Sequence, residues 1–235
     1  MNNNERIKIW EYIQKKIILK QIPEIENKII LDFGAGNCYL PSLLKDNNKI
    51  ICVEPYFDSY DFLYKKDNIY QINGDLKILN SFKDESFEVI FCHNVFEYLD
   101  DNSREKIIKE FCRILKKDGI LSFIKHNKYG RILEQILFKN DFTNYKSVFI
   151  ENESYSERFG TISYFKERKI VDWSNKKLMQ INKFGLRMFY DLQSNMELQK
   201  NKQWQDNIID AELFFCKTEE FINIAFLHHL IYIKK

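Results

Sequence analysis

The chain of 235 residues predicts an α/β fold, a mostly parallel β-sheet covered by helices on both faces. Two observations carry this. Short β-branched runs of the buried-strand kind alternate with helical patterns along the first half of the chain. Three of those runs end in acids, two of them with glycine-bearing turns: Asp32-Phe33-Gly34-Ala35-Gly36, Glu54-Pro55 and Asn73-Gly74-Asp75. Ligands of such sheets lie outside the carboxyl ends of the strands, at a switch point in strand order.

The elements follow in order. Apolar residues at helical spacing (Ile7, Trp10, Tyr12, Ile13, Ile17) predict a first amphipathic helix over Ile7 to Leu19, stopped by Pro23. Lys28 to Asp32 reads as a buried strand running into a tight turn, and Leu40 to Lys45 as a helix with Pro41 in its first turn. Lys49 to Glu54 is the second strand, Asp58 to Tyr64 a weak helix and Ile69 to Ile72 the third strand. Phe87 to Cys92 is the fourth strand. Asn102 to Leu115 is an amphipathic helix capped by Asn102 or Ser103. Asp118-Gly119 turns it into the fifth strand, Ile120 to Lys125. The alternation then lapses: Tyr129 to Phe138 is helical and the stretch to Phe165 is polar, aromatic and irregular. Met179 to Asp191 reads as a strand pair or one long strand, Gln193 to Lys217 as a helix and Phe226 to Ile233 as a final strand.

Composition narrows the function classes. Apolar residues make up 45% and charged residues 30%, as in ordinary globular proteins. The net charge of +2 demands no nucleic-acid partner, although eight Lys or Arg face only Glu167 and Asp172 between Arg158 and Arg187. The five cysteines form no C-x-x-C pair and read as reduced, buried small hydrophobes. No metal-ligand spacing is present. The start lacks the order of a secretory signal and no stretch has the length of a membrane span, so a cytoplasmic protein without membrane contact is expected.

The chemistry lies in three placements. Gly34 and Gly36 after the first strand let a ligand approach the backbone. Glu54, ending the second strand, is placed to accept both hydroxyls of a ribose. Asp75, past the third strand, is placed to accept from an adenine amine, with Leu76 as an apolar wall. Together they describe a nucleoside-shaped site. A dinucleotide fold wants a third glycine facing a pyrophosphate, but Cys38 stands there. A ligand carrying an amino acid and a sulfonium in place of phosphate suits Asp32 beside the loop.

Leu31 to Asn37, Asp84 to Ile90 with Asn94 to Leu99, and Ile114 to Leu121 resemble, as a set, the motifs of the class I S-adenosylmethionine-dependent methyltransferases. The resemblance covers residues 29 to 125. It implies a single Rossmann-like seven-stranded sheet with the last strand antiparallel and a helical or irregular insertion after strand five. It also implies S-adenosyl-L-methionine as cofactor. One domain over 1–235 is expected, with an N-terminal helix in 1–27, the cofactor-binding core in 28–125, an insertion or lid in 126–178 and C-terminal strands and helix in 179–235.

A closer resemblance rests on Phe91 to Tyr98, Lys125-His126-Asn127, Gly185 to Asp191 and the tail from Glu212. These segments look like the bacterial tRNA 5-carboxymethoxyuridine methyltransferases, which esterify the carboxylate of a modified wobble uridine. That implies tRNA as the acceptor and tRNA modification as the task. Those proteins carry a further N-terminal segment rich in Tyr, Arg and Gly, whereas five residues precede Arg6 here. A small-molecule acceptor is therefore the alternative, and a non-catalytic S-adenosylmethionine-binding module a third reading.

The cofactor residues expected are Asp32, Gly34, Gly36, Glu54, Asp75, Leu76 and His93, with Arg6 matching an arginine of the closer family that reaches the cofactor carboxylate. Arg187, His126 and Asn127 are the expected acceptor residues, Arg187 for bidentate grip of an anion. A carboxylate acceptor is already ionised and needs no catalytic base. A hydroxyl or carbon acid needs one, with His93 or His126 as candidates.

Overall fold

A computed structural model describes residues 3–60, 63–137, 140–143, 145–156, 160–193 and 195–235, with the side chains of residues 3–8 and 59 outside that description. The strands are β1 (Ile29–Phe33), β2 (Lys49–Glu54), β3 (Ile69–Asn73), β4 (Phe87–His93), β5 (Leu115–His126), β6 (Glu153–Ser156), β7 (Gly160–Ser163), β8 (Leu178–Leu186) and β9 (Leu227–Lys234). Seven of them form one sheet in the order β3-β2-β1-β4-β5-β9-β8, and β6 and β7 form a separate antiparallel hairpin.

The first five strands of the sheet are parallel, with Asp32 opposite both Cys52 of β2 and Phe91 of β4. Strand order reverses at β1, so the crevice expected of a doubly wound sheet opens above β1 and β4. The last strand runs the other way. Asn127 N donates to Phe226 O and Phe226 N to Arg187 O, while at the opposite end Lys235 N donates to Lys177 O. The seven-stranded sheet with its antiparallel last strand is thus the one the sequence predicts.

The strands read as continuous apolar runs because both faces are covered. Leu31, Val53, Ile90, Cys92, Leu121 and Phe123 are buried with Ile107, Ile108 and Phe111 from the helix α3. The helices are α1 (Asn3–Gln21), α2 (Tyr39–Ser42), α3 (Asp101–Ile114), α4 (Lys128–Leu137), α5 (Tyr145–Ile150), α6 (Arg168–Trp173), α7 (Met196–Lys200), α8 (Lys202–Phe215) and α9 (Glu219–Ile224).

Several elements depart from the sequence reading. The cap of α3 is Asp100, not Asn102 or Ser103: its carboxylate accepts Ser103 N at 2.9 Å and Ser103 Oγ at 2.8 Å. A charged acceptor suits the positive end of the helix better than an amide. The helix expected over Gln193 to Lys217 is two, because Asn201 turns extended and caps α8 through Trp204 N at 2.9 Å. The helix expected over Leu40 to Lys45 closes after a single turn at Ser42. Of the helix expected over Asp58 to Tyr64, only a 3-10 turn at Phe57–Ser59 is found, and 61–62 lie outside the described residues. The fifth strand begins at Leu115. Phe87 pairs with Leu115 and Val89 with Ile120, so the expected Asp118-Gly119 turn is an excursion inside the strand. The stretch expected to be irregular holds α5 and the β6–β7 hairpin, and α6 follows it.

The chain divides into two compact units. One comprises residues 24–124, 165–182 and 230–235 and carries the apolar core just described; the other comprises the N-terminal residues to Pro23, 125–164 and 183–229. In the second, α1 packs on α7 and α8, and α4 on α5 and α9. Ile13, Ile17 and Ile18 are buried there, and Tyr190 packs its ring between Trp10 at 5.1 Å and Trp204 at 5.9 Å. His229 Nδ1 meets Gln21 Oε1 at 2.7 Å, joining α1 to the sheet.

Candidate functional site

In the first unit the end of β1 is shaped by what its backbone must do. Gly34 N and Ala35 N both bond to Val53 O, at 2.8 and 3.1 Å, so the chain turns sharply over β2. Gly34 has φ +76° and its ideal Cβ would stand 2.3 Å from Val95 Cγ2, so no other residue fits. Gly36, at φ +56°, donates its N–H to Glu54 Oε2 at 3.1 Å.

Glu54 is buried, and its second oxygen accepts Tyr56 N at 3.3 Å. Two backbone donors thus fix the carboxylate at the end of β2. Asp32 is buried one strand away. Past β3, Asp75 caps a 3-10 turn by accepting Lys77 N at 2.8 Å; the rest of its carboxylate is exposed. Leu76 follows it, packed against the core. Asp32, Gly34, Gly36, Glu54 and Asp75 with Leu76 therefore stand at the ends of three neighbouring parallel strands.

His93 ends β4, buried, with Nε2 2.9 Å from Ser122 Oγ on the adjacent strand and its ring edge-on to Phe91 at 5.5 Å. Its ring thus contacts groups of the sheet itself. The next residue, missed in the sequence, takes its place at the crevice. Asn94 adopts φ +57°, donates its N–H to Ile124 O at 3.0 Å, and holds a buried Oδ1 without a hydrogen-bond partner among the described residues. Its neighbour Val95 is the side chain that abuts Gly34. Only the position of Asn94 after a strand could have signalled it. Tyr60, whose hydroxyl would lie 3.3 Å from a Cβ on Gly36, gave no signal at all.

The expected acceptor residues lie in the second unit. His126 is half-buried at the end of β5, with its ring 5.5 Å from Phe226. Burial, and then the charges of Arg187, Arg131 and Lys125, push its pKa down to about 3, so the imidazole is neutral and weakly basic. Asn127 donates both amide hydrogens, to Asn223 O and Ala225 O at 2.9 Å each, and its Oδ1 accepts Tyr129 N at 3.3 Å. Arg187, at φ +64°, grips Asp191 through Nε at 2.6 Å and Nη2 at 2.7 Å. Its guanidinium also stacks on Trp10 at 4.5 Å and Phe226 at 4.1 Å. Behind it, Glu212 accepts the N–H groups of Met188, Phe189 and Tyr190. Arg6 lies in α1, its side chain outside the described residues.

Comparison with known proteins then meets this geometry. Residues 31–123 match the family model described as a methyltransferase domain. The matched methyltransferase segment begins in β1 and ends in β5, so it takes in the glycine loop, Glu54, Asp75 and Asn94. An uncharacterized protein of Methanocaldococcus jannaschii is 32% identical over 127 residues, which are 54% of this chain and 52% of that protein. An uncharacterized methyltransferase-like protein of Schizosaccharomyces pombe is 30% identical over 101 residues, 42% of this chain and 38% of that one. The chain thus spans about half or less of the length of these relatives. Among solved structures, an S-adenosylmethionine-dependent methyltransferase from Mesorhizobium loti superposes with a TM-score of 0.61 at 7% identity, covering 94% of this chain and 98% of that one. Another from Archaeoglobus fulgidus gives 0.59 at 15% identity, covering 94% and 92%. The fold is that of the S-adenosylmethionine-dependent methyltransferases.

Proposed function

We propose that the chain binds S-adenosylmethionine above β1–β4 and transfers its methyl group to an acceptor oxygen that arrives already ionised. The observation that carries the cofactor reading is the Gly36–Glu54 hydrogen bond, which joins the loop and the acid of a nucleoside site in one rigid arrangement.

The residues fit such a cofactor. The glycine loop turns at the end of β1, and Glu54, held by Gly36 N and Tyr56 N, places a carboxylate there that suits two ribose hydroxyls. The exposed carboxylate of Asp75 suits an adenine amine and Leu76 its ring. Asn94 Oδ1, buried and without a hydrogen-bond partner among the described residues, suits the donor of an ammonium group. Asp32 supplies negative charge beside the loop, and His93 backs β4 through Ser122. Bound S-adenosylmethionine supplies a methyl carbon activated by its sulfonium. What remains for the protein is to align the two partners and keep water out.

His126 supports the ionised acceptor. A histidine held neutral with a pKa near 3 is a poor base, so the reaction is better served by a nucleophile that needs none. The acceptor we infer is the carboxylate of a modified tRNA uridine, with His126 on its side. Arg187 and Asn127 act in support, the first as a charge paired with Asp191 and the second as a clamp. A small-molecule carboxylate is the second reading, favoured by a net charge of only +2, which demands no nucleic-acid partner. Residues 1–235 are read as one methyltransferase domain, and no metal enters the reaction.

The test has two arms. Calorimetry with S-adenosylmethionine is expected to show one site, weakened in Glu54→Ala; equal affinity in the two proteins removes the site. Incubation with labelled cofactor and separated RNA and metabolite fractions then assigns the acceptor. Label in RNA that is released by mild alkali supports the tRNA ester, and label in small molecules alone supports the second reading.

A further inference from the structure

Cys38 occupies the position of a third glycine in the loop, and it does so at φ +62° and ψ +24°, a left-handed conformation in which its own Cβ is crowded. The backbone closes on this residue from both sides: Cys38 N donates to Ala35 O at 3.0 Å and its carbonyl accepts Ser42 N at 3.1 Å. A residue that opposes the local backbone preference must be held there by something else.

The side chain supplies the hold. Cys38 is fully buried, and Gln71 Nε2 donates to its sulfur at 3.4 Å. Cys52, on β2, is buried as well. Cys52 and Gln71 stand opposite one another on β2 and β3, and Asp32 stands opposite Cys52 on β1. Residues in register on parallel strands share a face. Three neighbouring strands therefore present Asp32, Cys52 and Gln71 in one row, and the Cys38 thiol accepts from Gln71, one of its members. Cys52 is pushed up by the neighbouring Cys38 thiol and by burial.

We propose that Cys38 is a positioning residue, whose thiol, tied to Gln71, fixes the glycine loop in the shape that receives the cofactor. Where a third glycine leaves the turn free, this tether selects one conformation before a ligand arrives. The consequence runs against the usual expectation for a glycine-loop position. Replacing Cys38 by glycine relieves its backbone and yet weakens binding. The proposal rests on the cofactor reading above, but the tether exists without ligand and is measurable without it.

The test uses the full chain as wild type and as Cys38→Gly, Cys38→Ala, Cys38→Ser and Gln71→Leu, each checked for cooperative melting. Hydrogen exchange of the Gly36 to Tyr39 amides is followed in the ligand-free proteins, and S-adenosylhomocysteine affinity is titrated. Faster loop exchange and about fivefold weaker binding are expected for Cys38→Gly, Cys38→Ala and Gln71→Leu, the loss of one net hydrogen bond. Cys38→Ser keeps an acceptor for Gln71 and is expected to remain near wild type on both measures. Equal exchange and affinity in Cys38→Ala and wild type overturn the tether, as does tighter binding by Cys38→Gly. If the wild type itself fails to bind S-adenosylhomocysteine, the cofactor reading falls and the exchange rates alone decide the tether.

Discussion

Glu212 accepts the backbone N–H of Met188 through both of its carboxylate oxygens, at 2.9 and 3.1 Å, although the residue is fully buried. One oxygen also accepts Phe189 N at 2.8 Å. The turn that follows Arg187 is thus wrapped around a carboxylate. Glu212→Ala leaves those buried donors unpaired and is expected to lower the stability by about 3 kcal/mol in urea unfolding. Glu212→Gln keeps one acceptor oxygen and loses less. If Glu212→Ala unfolds at the wild-type midpoint, the buried carboxylate does not hold the turn.

Gly34→Ala brings a Cβ within 2.3 Å of Val95 Cγ2 at a positive φ. Loss of S-adenosylhomocysteine affinity by more than about tenfold is expected in calorimetry, from the clash and the backbone strain together. Adding Val95→Ala removes the clash and leaves the strain, so affinity returns in part. No recovery in the double variant means that the backbone conformation alone sets the requirement.

Glu54 ties the loop to β2 through Gly36 and Tyr56. Glu54→Gln offers one acceptor oxygen and no charge, and is expected to bind cofactor about tenfold more weakly; Glu54→Ala loses more, up to about a hundredfold. Similar losses in the two variants would show that charge, not the count of acceptors, decides binding.

Acid stability follows from three histidines. Burial pushes His228 and His229 down to about 3; Lys125 and Lys183 act in the same sense on His228, and His126 is lowered alike. Each is neutral in the folded chain, while the unfolded chain takes up a proton near pH 6.5. Between pH 6.5 and 3 the unfolded state binds more protons, so stability is full above that window and is lost as pH falls through it. About 2 kcal/mol per histidine is expected to disappear between pH 7 and 5 in urea titrations. His229→Gln, which can still meet Gln21, flattens the curve by that amount. An unchanged slope would show that His229 charges in the native state.

Much of this was legible in the sequence because buried parallel strands announce themselves. Lys49 to Glu54 is a strand at the predicted bounds, and the acids at the ends of β1, β2 and β3 mark the crevice. What the sequence concealed depends on side-chain direction. His93 follows a strand and is a natural candidate for chemistry, yet its ring turns back to Ser122. Arg187 looks like an anion grip, and its fork is filled by Asp191 four residues on, a pairing that only the left-handed turn between them brings about. Asn94 falls inside a quoted motif, but its value lies in an oxygen without a hydrogen-bond partner among the described residues, which the residue type alone does not reveal. The cap of α3 was misplaced because Asp100, Asn102 and Ser103 are all good caps, and only the backbone chooses among them.

The chain has only seven glycines, and Asn27, Asn94, Asn140, Asn152 and Asn175 all stand at positive φ. Glycine would sit in those bends with less strain, but it would also widen the ensemble open to the unfolded polypeptide. Asparagine tolerates the left-handed bend while restricting the denatured chain, so each of these turns forms with a smaller loss of conformational entropy. The stability of this protein is therefore set in part by what its denatured state is prevented from sampling.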